Sequence, residues 1–198
     1  DLEMAIMKLI SQTPFSKLFS RSIMEQLFSS RTQLRSVVLG AVVNIGDAAF
    51  SGCTSLTSVK TPGGDVVLEF PSTLRTIGNA AFQKCPLAGV LDFATTSPNL
   101  QKIGAVAFSE TRISSLTLPG SLRTAAAEDI ATQGGYVDFE NSSFAIGTGA
   151  FSKNPLLSNI HLNTGINAIG NSAFLFCPNL LYINLISRSE ERFSRNAE

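Results

Sequence analysis

Past residue 27, the apolar positions of this 198-residue chain follow neither a helical period nor a long alternation. They return in a fixed block. Phe50, Cys53, Leu56 and Val59 stand three apart, and the same offsets recur at Phe151, Asn154, Leu157 and Ile160 and at Phe174, Cys177, Leu180 and Ile183. A partial copy precedes them at Phe28, Arg31, Leu34 and Val37. After each block comes a brief apolar-polar alternation, clearest in "VLEFPSTLRT" (67–76) and "SSLTLPGSLRT" (114–124). Alternation over so few residues predicts one short strand per unit, stopped by the proline that follows it.

Ahead of the phenylalanine lies a hexad, read as IGDAAF (45–50), IGNAAF (77–82), IGAVAF (103–108), IGTGAF (146–151) and IGNSAF (169–174). The phenylalanines are spaced 32, 26, 43 and 23 residues apart. The 43 is close to two units, which predicts a degenerate copy near residue 130, with Leu122 and Ile130 of "LRTAAAEDI" in the places of Leu74 and Phe82. The total is six recognisable units and an N-terminal partial one. A unit this short cannot enclose its own apolar side chains, so like positions must stack from coil to coil. The glycine after each isoleucine is expected to supply a positive φ. The small alanine lets a short helical or 3₁₀ turn carrying the phenylalanine approach its neighbour.

The ends read differently. Leu2, Ile6, Leu9 and Ile10 share one helical face, and Phe15, Leu18, Phe19, Met24, Leu27 and Phe28 make a second stripe. Thr13 before Pro14 is a helix start signal. Residues 1–28 are therefore expected to form a helical N-terminal cap, or part of an upstream domain. The repeats occupy 29–186, and residues 187–198 form a polar tail without repeat signal. The stack looks capped at its N-terminal end and open at its C-terminal end, which leaves room for more repeats or for self-association through the last coil.

The order of hexad, cysteine position and strand resembles the BspA-like, or Treponema-type, leucine-rich repeats over about residues 27–186. The resemblance implies an α/β repeat fold: a right-handed solenoid of roughly six to seven coils, with a short-stranded parallel sheet on one face and short helical turns. It also implies recognition of other proteins, commonly in secreted or cell-surface proteins of bacteria and protists. An extracellular or cell-surface location and a role in adhesion follow from the resemblance alone. The residues themselves leave a cytoplasmic location open, as well as a spacer or scaffold role in a larger protein. One departure stands out. Residues 60–67, "KTPGGDVV", look inserted, so either Lys60 or Glu69 holds the strand position of that unit, and the alignment favours Glu69.

Composition changes this picture little, except by exclusion. Fifteen basic residues balance fifteen acidic ones without a block of like charge, which argues against a nucleic-acid or anionic-membrane partner. No apolar run reaches the length that spans a bilayer. Fourteen Phe against two Tyr and no Trp fits one packing position refilled in every unit. The hexads match neither phosphate-loop pattern, GxxxxGK[ST] or GxGxxG. Three cysteines form no CxxC, and each stands three residues after a repeat phenylalanine, where other units carry Arg31, Thr111, Gln133 or Asn154. That argues for a structural, free thiol rather than a nucleophile, and the one histidine, His161, is more than a coil from Cys53 and Cys85. No catalytic residue, metal or cofactor is expected. The lone Asn141-Ser142-Ser143 acceptor pattern carries little weight.

If Ile160 and Leu162 point inward, strand alternation turns Asn159 and His161 outward. The same logic exposes Ser36, Val38, Glu69, Val90, Asp92, Ser115, Thr117, Asp138, Glu140, Tyr182 and Asn184. This row is the candidate surface for a protein partner. It mixes charges and has few aromatic anchors.

Overall fold

Each of the first four repeats contributes two short strands rather than one, and the strands of successive repeats pair in parallel along two separate ribbons. The computed structural model describes residues 22–64, 66–122, 145–166 and 169–185. The first ribbon joins β1 (Ser22–Ile23), β3 (Asn44–Ile45), β5 (Thr76–Ile77) and β7 (Lys102–Ile103) in that order. Single parallel bridges carry it on from Ile103 to Ile146 and from Ile146 to Ile169. The second ribbon begins with β2 (Ser36–Val38) and β4 (Ser58–Lys60), and a bridge from Val59 to Leu68 adds a rung. It resumes as β6 (Ala88–Asp92), β8 (Arg112–Leu118), β9 (Asn159–Leu162) and β10 (Tyr182–Leu185). Six coils result among the described residues, each running from a first-ribbon isoleucine through the phenylalanine to the second ribbon. The first-ribbon strands escape sequence reading because only the isoleucine of each is apolar, and two residues show no alternation.

The inner side chains stack in columns as the repeat requires. Phe28, Phe50, Phe82, Phe108, Phe151 and Phe174 form a continuous pile with ring centroids 5.1 to 5.8 Å apart and planes within 12° of parallel. Burying such a ring is worth about 3–5 kcal/mol on truncation to alanine. Phe70 and Phe93 pack against this pile, and Phe70 meets Phe82 edge to face at 5.5 Å.

The pile corrects the expected coil near residue 130. Phe108 and Phe151 stack directly at 5.3 Å, Ile103 bridges Ile146, and β8 pairs with β9. One rung cannot hold an extra coil between them, so the described residues form six coils and the copy expected near residue 130 is not one of them. Leu122 is buried as expected, whereas residues 123–144, including Asp138, Glu140 and Asn141, lie outside the described residues.

The turn bearing the phenylalanine is not a helical or 3₁₀ segment. Its N–H groups alternate in direction. In the second coil Ala49, Ser51 and Cys53 donate three residues back, to Gly46, Ala48 and Phe50. Ala48, Phe50 and Gly52 donate instead to Asn79, Ala81 and Gln83 of the next coil, at 2.7 to 2.8 Å. A helix would spend every N–H internally, whereas here half of them tie neighbouring coils together. The alternation needs a left-handed residue twice per coil. Ala48 and Gly52, Ala80 and Lys84, Val106 and Glu110, Gly149 and Lys153, and Ser172 and Phe176 all have φ between 47° and 72°. Among the described residues one helix remains, α1 (Phe93–Thr96), where the Asp92 side chain accepts from the Thr95 N–H at 3.1 Å.

The glycine after each isoleucine therefore does not supply the positive φ. A Cβ on Gly78 would sit 2.5 Å from the Asp47 backbone nitrogen, and one on Gly104 or Gly170 would sit 2.5 Å from the corresponding nitrogen of the coil before it. Glycine is required there because two backbones touch.

The expected N-terminal helical cap does not include residues 22–28. Ser22 and Ile23 pair with Asn44 and Ile45, and Gln26, Phe28 and Ser30 donate to Asp47, Ala49 and Ser51. Residues 22–28 thus belong to the first coil rather than to a helix, and Met24 and Leu27 are exposed rather than lying on an apolar stripe. Residues 1–21 lie outside the described residues.

Candidate functional site

The outward positions of the second ribbon line up by backbone pairing alone. Ser115 is registered between Val90 and Asn159, and Asn159 in turn faces Tyr182. One residue pair along, Asp92, Thr117, His161 and Asn184 form the parallel row. At the N-terminal end Ser36 pairs with Ser58 and Val38 with Lys60. The alternating partners Val37, Leu68, Phe70, Leu91, Leu116, Ile160 and Leu162 are buried, which turns Ser36, Val38, Glu69, Val90, Asp92, Ser115, Thr117, Asn159 and His161 outward. All of β10 is exposed, so Tyr182 and Asn184 join the row by register alone.

The inserted segment answers the choice between Lys60 and Glu69 by using both. Lys60 belongs to β4, while Leu68 bridges Val59 and the Glu69 N–H donates to the Val59 carbonyl at 2.7 Å. The chain between them makes a loop tied at its base, where Thr61 Oγ1 donates to Glu69 Oε2 at 2.8 Å. Val66 and Val67 on this loop are exposed, as are Val38 and Val90 on the strands. Sequence reading named Val38 and Val90 but missed Val66 and Val67, because it scored the loop as a simple insertion. Ser58 Oγ, on β4, is buried without a protein hydrogen-bond partner.

The cysteines have a definite role that filler does not describe. Cys53 Sγ donates to the Phe28 carbonyl and Cys85 Sγ to the Phe50 carbonyl, each at 3.0 Å, and Cys177 Sγ to the Phe151 carbonyl at 3.3 Å. Asn154 Nδ2 makes the same bond to the Phe108 carbonyl at 2.8 Å. Each links its coil to the phenylalanine of the coil before. Asn154 also takes a very short hydrogen bond from Thr111, so the direct junction of the fourth and fifth coils has a buried polar fastening. Hydrogen bonding with Cys53 and then burial push the Cys85 thiol far above its ordinary value, and burial pushes the Cys177 thiol up. A nucleophilic cysteine needs the opposite shift. Among the described residues, no group of His, Cys, Asp or Glu could hold a metal ion, and no helix is long and apolar enough to cross a membrane.

An open groove of about 590 Å³ runs along the first ribbon, beside Ser22, Asn44, Thr76 and Lys102. Its polar groups bond mainly to one another. Asn44 Nδ2 donates to Ser22 Oγ at 3.0 Å and Thr76 Oγ1 to Asn44 Oδ1 at 2.7 Å. Asp47 accepts from Asn79 through both carboxylate oxygens. This ladder braces the stack and leaves few groups turned toward a ligand.

Two parallel ribbons, a phenylalanine pile and glycine contacts between coils define a leucine-rich-repeat-like solenoid. The profile of the BspA type leucine rich repeat region, in six copies, matches residues 66–128 and 131–197. The chain belongs to that family. In structure it is similar to a leucine-rich repeat protein of Treponema pallidum, with a TM-score of 0.57 and 23% identity over 88% of this chain and 75% of that one. It is similar as well to a leucine-rich repeat protein of Bacteroides ovatus, with a TM-score of 0.51 and 19% identity, and covers 82% of this chain and 40% of that one. At these identities the likeness concerns the fold. No curated protein matches the chain in sequence.

Proposed function

We propose that the chain is a non-enzymatic recognition module whose second-ribbon face, with the Thr61–Val67 loop beside it, binds a protein partner. The observation behind this reading is the register of Val90, Ser115, Asn159 and Tyr182 beside Asp92, Thr117, His161 and Asn184. Two outward rows held by buried columns make a preformed surface, so a partner meets little ordering cost. Val38, Val67, Val90 and Tyr182 give it apolar contacts among polar ones. Adhesion at a cell surface is the setting we propose for such a module, and protease shaving of intact cells expressing the tagged protein tests it: a protected tag refutes surface display.

Quantitative capture tests the face itself. The chain and its Val90→Asp, Asp92→Asn, His161→Ala and Tyr182→Ala variants are immobilised beside a Lys102→Ala control on the other ribbon. The proposal expects a partner retained by the wild type and the control, and bound at least tenfold more weakly by two or more face variants. A partner that survives all four face changes refutes the assignment. Enrichment of no protein favours a spacer.

A further inference from the structure

The two ribbons advance unequally between coils two and three. On the first ribbon Ile45 pairs directly with Ile77, and the Phe50 and Phe82 rings stack at 5.1 Å. The second ribbon takes an extra step over the same interval. Leu68 bridges Val59 on the side opposite Val37, so β4 and β6, the equivalent strands of these coils, end separate sheets. At the other junctions both ribbons advance together. β1–β3 goes with β2–β4 and β5–β7 with β6–β8, and the Ile103–Ile146 and Ile146–Ile169 bridges go with β8–β9 and β9–β10. One added strand of about 4.8 Å on one side of a stack about 10 Å deep turns the axis by roughly 25°. The second ribbon lies on the outside of that bend.

The extra rung is an addition to the repeat unit. Joining Lys60 to Phe70 gives SVKFPSTL, which matches SLTLPGSL of residues 115–122 position for position. It also places Val59 nine residues before Ile77, the spacing from Ile160 to Ile169. The exposed valines gather at the bend. Val66, Val67 and Val90 are 57%, 52% and 59% exposed there, whereas Ser36, Ser58, Ser115 and Asn159 fill the same outward row elsewhere.

We propose that residues 61–69 set the specificity of the partner face by bending it. This role rests on the second ribbon being the binding face. The bend makes a convex ridge with Val67 and Val90 at its crest. Such a ridge selects a partner protein with a concave, apolar-floored surface and turns away a flat one.

A variant lacking residues 61–69 tests the role in two measurements. Nitroxide labels at Val38→Cys and His161→Cys, in a Cys177→Ser background, span the added rung. The deletion should bring them closer by about one strand spacing, roughly 5 Å. Labels at Ser22→Cys and Lys102→Cys on the first ribbon should keep their separation. The protein retained by the immobilised wild type should bind the deletion variant at least tenfold more weakly. It should bind Val67→Ser, a change at an exposed side chain in the complete chain, at least threefold more weakly. An unchanged separation between the Val38 and His161 labels overturns the bend. Equal binding by either variant overturns the specificity role, even where the Val90, Asp92, His161 and Tyr182 changes uphold the face. Retention of no protein by the wild type removes the face and the role of the bend together.

Discussion

Replacing Gly104 with alanine separates two reasons for having glycine at that rung. The residue does not have a left-handed φ, so backbone conformation alone favours alanine, which restricts the unfolded chain and stabilises by about 0.4–1 kcal/mol. The packing says the reverse. The added Cβ would lie 2.5 Å from both the Asn79 nitrogen and the Gly78 carbonyl carbon, which are backbone atoms and cannot rotate away. Restoring ordinary contact means parting coils three and four by about 1 Å, an overpacking cost of roughly 1–3 kcal/mol. That movement stretches the bond from the Gly104 N–H to the Ile77 carbonyl, now 2.8 Å, and the one from the Ala105 N–H to Asn79 Oδ1, also 2.8 Å. Weakening them adds about 1 kcal/mol. Less the chain-entropy gain, Gly104→Ala is therefore expected to destabilise by about 1–3.5 kcal/mol in urea unfolding, read from the midpoint at constant m-value. An unchanged or raised midpoint would refute close approach as the reason for glycine.

Other consequences follow from the columns and turns. Phe82→Ala should cost about 3–5 kcal/mol, whereas Cys85→Ser keeps a donor for the Phe50 carbonyl and should cost about 1 kcal/mol; similar thermal midpoints would contradict the column account. Lys84 is exposed with φ 62°, so Lys84→Gly relieves a left-handed side chain worth about 1–2 kcal/mol against roughly 0.5–1 kcal/mol of chain entropy, and the melting midpoint should rise by a few degrees. The Cys85 thiol is raised in the folded protein, so the unfolded chain releases that proton first as pH increases. Its contribution is fully present below the ordinary thiol value of 9.0 and is lost above it. Urea titrations at pH 8 and pH 10.5 should show a larger loss for wild type than for Cys85→Ser, and equal losses would remove the thiol from the alkaline response.

What the sequence disclosed was whatever recurs at fixed offsets. Phe50, Leu56 and Val59 recur because each fills a column, and the second-ribbon register followed from Ile160 and Leu162 alone. What stayed hidden depends on relations between coils. The strand at Ile45 or Ile77 is two residues long and becomes visible only through its partner. Gly78 reads as a bend because glycine usually serves φ, whereas the left-handed positions fall two residues later on Ala80 and again on Lys84, types that carry no such signal. The long interval between Phe108 and Phe151 invited a missing coil, since spacing along the chain does not tell whether two rings are neighbours in the pile. Cys53 and Asn154 look unrelated as residue types, yet each presents one buried donor to a carbonyl of the preceding coil.

The continuity of the proposed binding face depends on the fourth and fifth coils touching, because this places Thr117 beside His161. A double-mutant cycle of Phe108→Leu and Phe151→Leu in urea unfolding measures that contact. Rings stacked at 5.3 Å and 3° should couple by about 0.5–1.5 kcal/mol. Additive effects, with coupling within about 0.3 kcal/mol of zero, would mean that another coil stands between the two rings and that the face is broken there.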